Sequence, residues 1–197
     1  MSSDFLDLLF HPDTFFARKT TETPDYLVPA LIVGSISLLS LIAPYFPGLI
    51  LPHTIPVTVI VTLPEIIMNV AGPFITWFLV SLCLFAICSF FSGTGTFPAT
   101  FRCAGYGMLP VALVTLIEVL TSPFLSPQSV MMIPLWAIMA IIYGEFVLFV
   151  VFLVWNGYIW MAAMEKVHAI PQRYAIIAAT GSLFLFITLK LIYLPIV

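Results

Sequence analysis

Charge is what this 197-residue chain has least of: 8% of its positions are Asp, Glu, Lys or Arg, where a water-soluble domain carries about 25%. With 62% of the chain hydrophobic, the apolar runs are too long and too many to hide in one soluble core. Six Lys and Arg residues with no patterned patch argue against nucleic acid as a partner. The cysteines, Cys83, Cys88 and Cys103, make neither a disulfide framework nor a metal-ligand spacing. They read as small apolar packing residues, with acylation of Cys103 near the cytosolic interface the lesser alternative. His11, His53 and His168 fall in segments expected outside the membrane and share no motif. No Ser-His-Asp grouping, phosphate-binding glycine loop or His-Glu zinc helix occurs. The sequence therefore predicts no cofactor, no metal site and no catalytic residues.

What the chain has is apolar length. About 20 apolar residues cross the hydrocarbon, and lipid offers no partner to backbone amides, so each run must close its own hydrogen bonds as a helix. The alternation of a membrane barrel is absent. The runs predict an all-α integral membrane protein with five transmembrane helices, about 27–46, 72–91, 103–122, 133–164 and 175–196, forming a membrane domain 27–197 after an N-terminal segment 1–26. Residues 49–70 are apolar but carry Pro52, Pro56 and Pro64, and the proline-free run Val57 to Leu63 is too short to span. They read as a loop that lies on, or dips into, the interface.

Charge placement supports that count. With five spans Arg18, Lys19, Arg102, Lys166 and Arg173 all fall on one side, and the loops 47–71 and 121–132 contain no Lys or Arg. The positive-inside rule then puts the N-terminus in the cytosol and the C-terminus outside. A sixth span would destroy the bias.

The first 26 residues are too polar and acidic for a signal peptide, and they lack the basic cluster of a lipid-binding patch. Ser3 and Asp4 suit a helix N-cap, followed by Phe5, Leu6, Leu8, Leu9 and Phe10, then Phe15 and Phe16. A short cytosolic interfacial helix with aromatic anchors and a loosely ordered tail are both open.

Ionisable residues inside the membrane cost at least about 2.5–3.5 kcal/mol each on insertion scales, which singles out Glu118, Glu145 and Lys190. Glu118 and Lys190 belong in the outer part of the bilayer, and Glu145 belongs deeper unless the long fourth span projects beyond it. An ion pair, or a proton shared between the glutamates, would lower the cost of burial. The functional version is a proton or cation path, making the protein a small transporter or channel. The structural version outweighs it, because three scattered groups do not make a relay. Asn156 reads as a polar tie between helices.

The stretch FRCAGYGMLPVALVTLIEVL, residues 101–120, places Gly105, Gly107 and Pro110 in the cytosolic half of the third span. Small residues there admit a neighbouring backbone, proline invites a kink, and Tyr106 is expected at headgroup depth. The second span opens NVAGPFITW, with Gly72 and Pro73, and a short Gly-Thr turn, Gly93 to Phe97, precedes the third.

These two motifs and the five-span layout resemble the Yip-one domain family, the Ypt/Rab-interacting proteins and their prokaryotic relatives. Their eukaryotic members carry Asp-Leu-Tyr-Gly-Pro opening the second span and Gly-Tyr followed by proline in the third. Gly72, Pro73 and Phe74 match the first, while Asn69 and Ala71 replace its acidic and tyrosine positions. Gly105, Tyr106 and Pro110 match the second, with Gly107 between them. The resemblance implies a non-enzymatic scaffold or adaptor that organises or traffics membrane, with the lipid bilayer, a second copy or other membrane proteins as partners. The replaced motif positions and the short N-terminus weigh against a small GTPase. The resemblance also implies the cytoplasmic membrane of a prokaryote.

Overall fold

The structure, a computed structural model, describes residues 2–21, 25–47, 62–125 and 133–193. Those residues form eight α-helices and no strand: α1 (Ser2–Phe10), α2 (Pro12–Lys19), α3 (Leu27–Ile42), α4 (Leu63–Phe90), α5 (Phe97–Gly107), α6 (Leu109–Thr121), α7 (Leu135–His168) and α8 (Gln172–Tyr193). A 3₁₀ turn, Ser122–Leu125, ends α6.

Four rods are long and apolar enough to cross a membrane: α4, the α5–α6 pair from Phe97 to Leu125, α7, and α8. The expected first span is shorter, a 16-residue α3. It nevertheless runs antiparallel to α4. Pro29, at its start, approaches Gly105 and Trp77, and the Ser37 hydroxyl, further along, donates to the Val70 carbonyl at 3.0 Å.

The second helix begins nine residues before the expected Gly72, so residues 63–70 are helix and not interfacial loop. The reason is local. Thr62 is the N-cap, Pro64 falls in the first turn, where its missing N–H costs nothing, and Glu65 accepts the Thr62 N–H at 2.7 Å, the reciprocal arm of a capping box. Most of the remainder of the expected loop, residues 49–61, lies outside the described residues, as do 126–132 and 194–197.

The expected third span is one rod, α5–α6, broken at Met108. Its N–H turns to the Gly105 carbonyl at 3.1 Å, and Pro110 has no N–H to return to Tyr106, so the ladder restarts at α6. The rod also begins earlier than expected, at Phe97, with Pro98 in its first turn.

At about 1.5 Å per residue, the 34 residues of α7 reach about 50 Å, well beyond the hydrocarbon thickness of about 30 Å. Almost none of its most apolar stretch is buried. The core lies around its C-terminal half, where Ile159, Trp160 and Met164 pack with Val80, Leu84 and Ala178.

Candidate functional site

The motif residues of the α5–α6 rod gather between two tryptophans. The Trp77 indole N–H, on α4, donates to the Phe101 carbonyl at 2.8 Å, and that of Trp160, on α7, donates to the Ala104 carbonyl at 3.1 Å. Trp77 also stacks on Phe101 with ring centroids 4.0 Å apart. A Cβ at Gly105 would stand 2.7 Å from Pro29 and 2.8 Å from the Trp77 ring, and one at Gly107 would run into the Trp160 indole. Here the glycines are small because aromatic rings occupy the space. Neither tryptophan was singled out by the sequence, although Trp77 ends the quoted NVAGPFITW.

Gly72 behaves oppositely, since a Cβ there would meet nothing within 4 Å. It is not part of a close-packed contact but lines an open cavity of about 250 Å³ together with Pro73, Met108, Val111, Thr115 and Phe186.

Tyr106 faces protein, not lipid. Its ring is 3% exposed and meets Phe15 edge-on at 5.2 Å, with Phe16 at 6.5 Å. These two phenylalanines come from α2, so they anchor the N-terminal segment to the bundle. Leu8, Leu9, Phe15 and Phe16 all belong to the main core. Three polar ties reinforce the docking: the Trp155 indole donates to the Leu9 carbonyl at 2.8 Å, the Arg102 guanidinium to the Lys19 carbonyl at 2.9 Å, and the Tyr158 hydroxyl to Asp13 at 3.4 Å. The helix pair is internally joined by Arg18 and Asp7, 3.6 Å apart.

At the same end, the Gly-Thr turn wraps His168, the last residue of α7. His168 is fully buried. Its Nε2 lies 2.8 Å from the Thr100 hydroxyl, and its carbonyl accepts the Thr94 N–H at 3.0 Å. A Cβ at Gly93 or Gly95 would press within 2.8 or 2.9 Å of the imidazole, which explains two glycines in five residues. The chain leaves α7 through Ala169 in the left-handed region, φ 52°. Nothing in the spacing of the histidines marked this one. Cys103 is fully buried, which leaves its thiol no access for an acyl group.

The charges expected inside the membrane collect at the opposite end. Lys190 donates to Glu118 at 2.9 Å, and its ammonium sits 5.0 Å over the Phe149 ring. Glu145 does not join them: it accepts a hydrogen bond from the Thr121 hydroxyl, one turn beyond Glu118. The two glutamates share no proton. Glu145 is level with the end of α6 because α7 extends past its neighbours. Glu118 and Lys190 line the 250 Å³ cavity, and Glu145 does not. Asn156 is 1% exposed, but neither its amide nitrogen nor its oxygen has a hydrogen-bond partner, so it ties no helices together. It borders a small void of about 20 Å³ beside Phe152 and Lys190, which is large enough for one water.

The arrangement brings Tyr106 together with the N-terminal helices at one end, its neighbours Gly105 and Gly107 against Trp77 and Trp160, and Glu118 together with Lys190 at the other. Gly72 and Pro73 line the cavity that leads toward the ion pair.

A family model described as the Yip1 domain matches residues 6–193, a range that includes most of α1 and all of α2. An uncharacterized protein of Methanocaldococcus jannaschii is 27% identical over 121 residues, covering 59% of this chain and 86% of that protein. No solved structure matches.

Proposed function

The chain belongs to the Yip1 domain family, and from that premise we propose that it is a non-enzymatic membrane scaffold or adaptor, of the type that organises or traffics membrane. Five spans cross the bilayer, with α3 as the first, the N-terminus in the cytosol and the C-terminus outside. The membrane is the cytoplasmic membrane of a prokaryote. Supporting the orientation, the Arg102 contact with Lys19 and the turn around His168 put Arg18, Lys19, Arg102, Lys166 and Arg173 at one end, against Lys190 at the other.

The single observation that carries the scaffold reading is the docking of α1 and α2 on Tyr106. It builds a folded platform at the end assigned to the cytosol, where an adaptor would meet partners. The competing transporter reading needs carboxylates facing one passage, and Glu118 is instead engaged by Lys190 while Glu145 stands outside the cavity.

The test is ion and proton flux in liposomes holding the folded protein, comparing wild type with Glu118→Gln and Glu145→Gln. The scaffold reading expects no flux above empty liposomes. Flux abolished by either substitution would overturn it in favour of a pathway. Copurification of membrane proteins with the wild type, lost when residues 2–19 are deleted, is the positive readout.

A further inference from the structure

The cavity bordered by Gly72 has the dimensions and chemistry of a lipid site. Its walls come from α3, α4, α6 and α8, and they are mostly apolar, including Ile36, Met68, Val111 and Phe186. Along the α5–α6 rod it extends from Met108 to Val119, eleven positions, or about 16 Å at 1.5 Å per residue. That is the depth of one leaflet in a hydrocarbon layer about 30 Å thick.

Ser40, Asn69, Thr76 and Thr115 also line it, but the charged groups are not scattered along this length. Glu118 and Lys190 stand together at one extremity, with side chains 44% and 29% exposed, so both charges remain within reach of a ligand. Their mutual hydrogen bond uses one of the three ammonium donors and one carboxylate oxygen, leaving the rest of both groups available. Pro73 opens the wall further in, since it returns no N–H to the Asn69 carbonyl, and both residues line the cavity.

We propose that this cleft holds one acyl chain of a phospholipid whose headgroup carries a phosphate and a primary ammonium, the phosphate seated on Lys190 and the ammonium on Glu118. An apolar groove ending in a carboxylate beside an ammonium complements an apolar chain ending in a phosphate beside an ammonium. A primary ammonium can donate to Glu118, whereas a quaternary one cannot. Gly72 keeps the groove open, and a side chain there enters the space the chain would take. The proposal does not rest on the scaffold reading, which survives its failure.

The test uses the purified full-length protein in detergent with equal amounts of phosphatidylethanolamine, phosphatidylcholine and phosphatidylglycerol, and native mass spectrometry of the retained lipid. Wild type is expected to keep one phosphatidylethanolamine per chain in preference to the other two. Gly72→Leu should lower that retention about tenfold, or about 1.4 kcal/mol, and Glu118→Gln, which removes the carboxylate that takes the ammonium, should erase the headgroup preference. Thr115→Leu, on the facing wall, is read in parallel in case Gly72→Leu folds poorly. Equal retention of the three lipids by wild type, or wild-type retention by both leucine variants, would overturn the assignment.

Discussion

Gly105 lies so close to Trp77 that a Cβ would stand 2.8 Å from the indole carbons Cε2 and Cζ2, while the same indole donates its N–H to Phe101 one turn earlier on α5. The ring cannot retreat without giving up that hydrogen bond. Replacing Gly105 with leucine is therefore expected to overpack the junction of α3, α4 and α5 and cost about 1–3 kcal/mol. Thermal melting in detergent and size-exclusion profiles check this, and a variant that melts and elutes like wild type would remove the close-packing account.

Gly72 belongs to the other motif but should respond with the opposite sign. Its Cβ position is open and it sits inside a helix, where alanine is favoured over glycine by about 0.5–1 kcal/mol. Gly72→Ala is expected to melt at or above the wild-type temperature. A clear loss of stability would mean that the cavity is not there.

Phe16 is fully buried against the bundle, and cutting it to alanine should cost about 3–5 kcal/mol, enough to release α1 and α2. Trypsin, acting at Arg18 and Lys19, then reads the docking directly. Cleavage should be slow in wild type and fast in Phe16→Ala, while the membrane helices keep their circular dichroism. Equal cleavage rates would show that the helix pair is not held by this contact.

Glu118 and Lys190 should be worth more to each other than to the fold as a whole. A double-mutant cycle with Glu118→Gln and Lys190→Gln is expected to give a coupling of about 0.5–1.5 kcal/mol, in the range measured for polar pairs between membrane helices. Additive losses would show that the ion pair does not form in the bilayer or its detergent substitute.

The sequence showed the helical class, the positions of the long apolar rods and the asymmetry of charge, because each follows from a local count of apolar or basic residues. It also brought Gly105, Tyr106 and Pro110 to notice, and it paired Glu118 with Lys190 as one of the options open to an intramembrane charge. It did not show that the two motif glycines of α5 and the one of α4 have opposite surroundings, since a missing side chain looks the same whether a ring or a void takes its place. The start of α4 is legible in Thr-Leu-Pro-Glu, residues 62–65, as a capping pattern, but Pro64 within it also fits the end of a proline-broken loop, and local sequence alone does not choose between the two. His168 and Trp160 owe their burial to partners more than 50 positions away, which no periodicity within a single helix encodes.

The clasp between Leu9 and Trp155 joins residues 146 positions apart, and this sets an order of assembly. When α1 and α2 leave the ribosome, the surface they will occupy has not been made: Tyr106 arrives later and Trp155 later still. At about 5–20 residues per second, the 146-position gap is an interval of roughly 7–30 s. During it Leu8, Leu9, Phe15 and Phe16 have no bundle to cover them and must rest on the membrane or on a chaperone. The helix pair made first is thus among the last to find its place, and its seating reports that the α5–α6 rod and α7 have already come together.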